Sequence, residues 1–217
     1  RDIENAKTKL ANCFSEIQSW CSSMRLKLNA SKTELIWFTR RTKNNNDLAV
    51  QIDKDCCIQP SDVVRDLGVF LDNTLSMTNH ISTVTKSCFF HLRRIRQIKR
   101  CLNEKCLRTL VQALVISRLD YCNSILINLP DITLHPYTTI LHSAARLVKS
   151  LKPRDHITLA LRQLHWLPIK ARISFKICVL MFNIHSGSSP RYMSSLVTPC
   201  TKVESRSSLR SFAKGNY

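Results

Sequence analysis

The residues of this chain that could do chemistry are mostly cations. From Lys86 to Arg118 the sequence holds nine Lys or Arg and a single acid, Glu104. Lys86, Arg93, Arg96 and Arg100 fall together on one face of a helix at 100° per residue. A run of charge is ordinarily a solvated face. Here the interspersed acids are missing, which favours phosphate contact and a nucleic-acid partner. Carboxylate chemistry is harder to assemble. Asp53 and Asp55 form the closest acidic pair, and two carboxylates at i and i+2 on a turn are usually solvated. There is no Asp-Asp dipeptide, no Gly-x-Ser-x-Gly elbow and no glycine-rich phosphate loop. The ten cysteines include no Cys-x-x-Cys pair, and Cys101 and Cys106 with His80 and His91 upstream match no zinc-site spacing. Cys13, Cys21, Cys88, Cys106, Cys122 and Cys178 sit in helical apolar patterns, as reduced cysteines acting as small hydrophobes do. The residues alone therefore assign no catalytic centre and no metal site.

The elements that must position these cations follow from periodicity. Ile3 to Met24 carries apolar residues at helical spacing: Ile3, Ala6, Leu10, Cys13, Ile17, Trp20 or Cys21, and Met24. Asn29 and Ser31 break the pattern and leave Lys32 in a loop. Leu35 to Phe38, Leu48 to Ile52 and Cys57-Ile58 read as short strands, with 39–47 a polar loop between the first two. Val63, Leu67, Val69 and Leu71 suit a half-buried strand, in which Gly68 marks the close approach of a backbone or ligand. Ser76 is then a cap for a helix from Met77 to about Leu102, with Ile81, Val84, Cys88, Leu92, Ile95, Ile98 and Leu102 as its apolar stripe. Asn103 caps a further helix to Leu126, and Pro130-Asp131 ends that unit. Helices are expected over 142–151, over 158–164, and from Pro168 to His185, where Ile177 to Ile184 is apolar all round and reads as buried. His165-Trp166-Leu167-Pro168 reads as a buried Trp at a helix start, and Tyr121, Trp166 and Phe182 as core. The tail from Thr198 is polar, basic and expected to fray.

Composition sets the frame. With 217 residues and 44% hydrophobic content the chain can bury a core. Its 33 Lys and Arg against 15 Asp and Glu give +18, a balance suited to a polyanion. No apolar run reaches the roughly 20 residues of a membrane span, and Arg1 opens what reads as an excerpt of a longer chain.

Several motifs, in order, resemble a known family. Leu26-Lys27-Leu28-Asn29-Ala30-Ser31-Lys32-Thr33-Glu34 is similar to the segment after the catalytic Asp-Asp motif of reverse transcriptases from LINE-type non-LTR retrotransposons. Leu67-Gly68-Val69 resembles the primer-grip hairpin that follows. Ser117 to Asn123, Ala144-Ala145-Arg146-Leu147, Leu164 to Pro168 with Arg172-Ile173, and Leu209-Arg210-Ser211 resemble the helical region beyond it. The resemblance implies an α+β, predominantly helical fold: a small antiparallel palm remnant, then a helical thumb-like bundle. Its expected parts are the end of the palm with the primer-grip-like hairpin over 1–75, thumb-like basic helices over 76–130, a C-terminal helical region over 131–197 and a basic, disordered tail over 198–217. It implies RNA and DNA as partners, a primer–template duplex gripped by Lys86, Arg93, Arg96 and Arg100, an upstream palm and fingers, and no membrane. It makes Lys32 a general acid toward the leaving pyrophosphate; the residues alone read Lys32 equally well as a surface lysine. Mg2+ belongs with aspartates upstream in the whole enzyme, and no cofactor is expected in this chain, which by itself is expected to be inactive. The expected location is intracellular, in cytoplasm and nucleus. A non-catalytic binding or structural module from a decayed or co-opted element is the alternative.

Overall fold

The computed structural model describes residues 2–29, 32–38, 48–53 and 56–198. The fold is α+β and mostly helical, with two small antiparallel strand pairs. Two compact units form, one from Arg1–Phe90 with Leu129–Pro136, the other from His91–Asn128 with Tyr137–Tyr217.

In the first unit, α1 spans Asp2–Ser23 and stops where Arg25 turns left-handed, at φ 58°. Of its expected core stripe only Cys21 is buried, while Leu10, Ile17 and Trp20 stay exposed. The expected strand Leu35 to Phe38 does not form. Leu35 makes one isolated parallel bridge to Pro60, and the Trp37 indole N–H donates to the Leu48 carbonyl at 2.9 Å, so anchoring goes through a side chain instead of a ladder. Strands β1 (Val50–Asp53) and β2 (Cys56–Ile58) pair antiparallel with a register shift between Gln51 and Asp53.

The expected single strand over Val63 to Leu71 is instead a hairpin. Strand β3 (Val63–Asp66) pairs with β4 (Val69–Asp72), with Val63 opposite Asp72 and Asp66 opposite Val69. Leu67 and Gly68 form the two-residue turn, with φ of 45° and 89°. Positive φ at both central positions is the geometry that matches strand twist, and glycine enters it without steric cost. Gly68 thus makes a turn and does not sit inside a strand, and Leu67 is exposed at the tip.

A knot of hydrogen bonds joins the hairpin to the next helix. Asp72 is buried and accepts from the N–H groups of Thr74, Ser76 and Met77 at 3.2, 2.8 and 2.8 Å, and from the hydroxyls of Thr74 and Ser76 at 2.7 and 3.1 Å. Leu75 and Met77 are both left-handed there, at φ 56° and 59°. Each such residue costs roughly 1–2 kcal/mol, and the carboxylate's five bonds hold the turn against that strain. Helix α2 (Thr78–Ile98) starts beyond it, two residues after the expected cap Ser76, whose hydroxyl is bonded to Asp72 and Thr78. His80 is buried in its first turn, and its Nδ1 lies 3.5 Å from the Phe70 N–H.

In the second unit α2 tightens to a 3-10 turn at Lys99–Cys101. Asn103 caps α3 (Glu104–Val111) by accepting from the Cys106 N–H at 2.8 Å. The run continues through a π turn at Gln112–Ile116 into α4 (Ser117–Asp120). Two carbonyls of the widened turn are engaged by side chains, Ala113 by the Ser117 hydroxyl and Leu114 by Arg118 Nε. Cys122 then turns left-handed at φ 49°, and a 3-10 turn covers Asn123–Leu126.

Helix α5 spans Asp131–Lys149, so it begins well before the expected 142. Pro130 precedes it with its carbonyl bonded to Thr133 and Leu134, while Pro136 lies inside it. An internal proline costs about 3 kcal/mol; burial of Leu134, Tyr137, Ile140 and Leu141 offsets it, each such side chain contributing roughly 1.5–3 kcal/mol. Helices α6 (Ile157–Leu164), α7 (Ile169–His185) and α8 (Arg191–Ser194) follow, with Trp166 buried between α6 and α7. The stretch Ile177 to Ile184 is not buried as expected. Within α7 only Ile169 and Ile173 are buried, and Phe175 and Phe182 are 60% and 69% exposed. Tyr121 also faces solvent. Cys21 and Cys88 are buried, but Cys13, Cys106, Cys122 and Cys178 are exposed, so their helical spacing did not mark core. The polar loop 39–47 and the tail from 199 lie outside the described residues.

Candidate nucleic-acid interface

Helix α2 docks through Ile81, Cys88, Leu92 and Ile95, each no more than 3% exposed. That stripe, at steps of seven, four and three, leaves Lys86 exposed in the first unit and Arg93 and Arg96 exposed in the second. Arg100 is exposed too. It lies on the 3-10 turn beyond Ile98, where two steps of 120° instead of 100° turn its direction by only about 40° and keep it on the side of Lys86 and Arg93. Ion pairs among the described residues include Lys7 with Glu4, Lys149 with Glu104 and Arg172 with Asp120, and none of these engages the four cations. Burial first, and then Arg118 and Arg94, hold the His91 imidazole below its ordinary value.

Lys32 lies on a short turn after α1, exposed, its N–H donating to the Asn29 carbonyl at 3.1 Å. Leu67-Gly68-Val69 forms the hairpin tip and the first residue of β4, with Val69 buried and Leu67 outermost.

The second unit contains a cluster that residue spacing alone did not reveal. Arg172 Nη1 donates to both Asp120 oxygens at 2.9 and 2.7 Å, while Arg172 Nε donates to the Leu167 carbonyl at 2.8 Å. Asn123, buried, approaches Asp120 through its amide at 3.5 Å. Ser117 to Asn123 and Leu164 to Pro168 with Arg172, two separated motifs, are thus joined by one charge-assisted clamp. A cleft beside it is lined by His165, Phe175, Lys176 and Val179. The sign was present in the sequence, an unmatched Asp and an unmatched Arg in the two motifs, but no periodicity relates positions so far apart.

No group of three His, Cys, Asp or Glu converges among the described residues. No described helix is long and apolar enough to cross a membrane.

No family model matches the chain. No solved structure matches it. Over 101 residues, 46% of this chain, it is 29% identical to a probable RNA-directed DNA polymerase from transposon BS of Drosophila melanogaster, and the match spans 11% of that protein.

Proposed function

We propose that this chain is a C-terminal piece of a LINE-type retrotransposon reverse transcriptase, and that it grips a primer–template duplex without supplying the catalytic carboxylates. The similarity to a transposon RNA-directed DNA polymerase supports kinship with that class of enzyme. The observation that carries the reading is α2: Lys86, Arg93 and Arg96 exposed on a helix held by a different, apolar stripe, with no carboxylate partner among the described residues. A group that follows a duplex of any sequence contacts phosphates and not base edges. Lys32 belongs to the same proposal as the general acid of the whole polymerase, acting inside the cell beside Mg2+ held by upstream aspartates. Its exposed turn leaves the ammonium free to reach a substrate.

The test is fluorescence anisotropy of the 217-residue chain with duplexes of unrelated sequence at several salt concentrations. Replacing Lys86, Arg93, Arg96 and Arg100 with alanine is expected to weaken all duplexes alike. The log–log salt slope is expected to fall by about 0.9 for every phosphate of a B-form duplex that is no longer neutralised. Unchanged affinity and slope would make these cations a solvated face, and weakening on one sequence alone would mean base readout.

A further inference from the structure

The second unit carries another basic feature, a groove of about 470 Å3 between the end of α2 and the last turn of α5. Arg96 and Lys99 line one side and Arg146 the other, while Leu147, Leu151 and Pro153 form an apolar wall. No acid lines it. Arg146 is half-buried, its Nε has no hydrogen-bond partner, and among the described residues no carboxylate pairs with it.

The plain alternative is that these cations merely complement helix C-termini. Two helix ends present about half a negative charge each, roughly one in total. Three full positive charges exceed that by about two. A partly desolvated guanidinium without a counter-ion is a strong ligand for a phosphate oxygen, because the surrounding medium screens the attraction less than water does. The volume falls within the range of small-molecule clefts, about 300–1,000 Å3. The wall gives the groove a second chemistry that a bare anion would not use. A paired nucleotide cannot use it either, since its base is stacked inside the duplex.

We propose that this groove holds one nucleotide of an unpaired strand, its phosphate on Arg96, Lys99 and Arg146 and its nucleoside against Leu147, Leu151 and Pro153. This rests on the reading that the partner is nucleic acid, but adds a single-stranded site that adjoins the duplex-facing Lys86 and Arg93 and shares Arg96 with them. Anisotropy titrations of the full chain would use three probes: a short labelled oligothymidylate, an abasic phosphodiester strand of equal length, and a duplex. Arg146→Gln and Lys99→Ala are each expected to weaken oligothymidylate binding about tenfold and duplex binding by much less. Wild type is expected to bind oligothymidylate more tightly than the abasic strand. Circular dichroism melting checks that the variants fold, and Lys99→Ala, on the surface turn, serves if Arg146→Gln does not. Unchanged oligothymidylate affinity in the folded variants would overturn the proposal, as would equal binding of the abasic strand. Failure of the duplex reading shows separately, as unchanged duplex affinity when Lys86 and Arg93 are replaced with alanine.

Discussion

Two side chains beside the hairpin show how single residues carry this fold. Asp72 is buried, which pushes its carboxyl up, but donors from Thr74, Ser76 and Met77 outweigh burial and hold it below its ordinary value. Asp72→Asn sets an amide N–H2 against these donors and removes the charge. A loss of about 2–3 kcal/mol in unfolding free energy is expected, read from urea denaturation; a change under about 0.5 kcal/mol would mean the knot is not needed. His80 works at a different pH. Burial holds its imidazole below its ordinary 6.5, and its Nδ1 faces the Phe70 N–H as acceptor. A histidine whose folded value is lowered favours the neutral form, so its stabilisation is complete above 6.5 and is lost as pH falls below that toward the folded value. His91 shifts in the same direction, whereas Asp72 matters only below 3.8. Stability is therefore expected to decline as pH falls below 6.5, and less so in His80→Asn, whose side-chain oxygen keeps an acceptor without titrating. Equal pH sensitivity in both proteins would place the effect elsewhere.

At the scale of elements, the Asp120–Arg172 clamp ties α4 to α7 within the second unit. The Arg172 side chain is 12% exposed and that of Asp120 37% exposed, so solvent screens the pair in part. Asp120→Ala and Arg172→Ala are each expected to cost about 1–2 kcal/mol, and the double variant clearly less than their sum, because one interaction is counted in both. Additivity in a double-mutant cycle by thermal denaturation would show the pair to be incidental. Its partners lie 52 residues apart, which explains how two motifs with no shared periodicity answer to one structural demand. The hairpin is the opposite case, a local device whose Leu67-Gly68 turn sets the pairing of its flanking strands.

For the molecule as a whole, the excess of positive charge suits a polyanionic partner. Phosphoryl transfer of this type uses carboxylates that hold two metal ions, and no such group converges among the described residues. The purified 217-residue chain is expected to give no metal-dependent incorporation in a primer-extension assay while still binding duplex. Incorporation above background would overturn the view that this piece only binds. Duplex binding without extension also leaves room for a co-opted, non-catalytic module, and an intact upstream reading frame with an aromatic-x-Asp-Asp strand would decide for the polymerase.

The sequence by itself determined the mostly helical character, the start and end of α6 and α7 to within a residue, the Asn103 cap and the exposed cations of α2, because propensity, capping and 3.6-residue periodicity act within a few turns of chain. It misread what depends on neighbours. Leu10, Ile17, Trp20 and Phe182 look like core by spacing, yet they are exposed, since spacing names an apolar face but not what covers it. The early start of α5 was hidden by Pro130 and Pro136, whose local cost is offset by burial elsewhere in the fold. The Asp120–Arg172 clamp and the Arg96–Lys99–Arg146 groove were decided only by tertiary structure, which brings together charges on helices that no local rule connects.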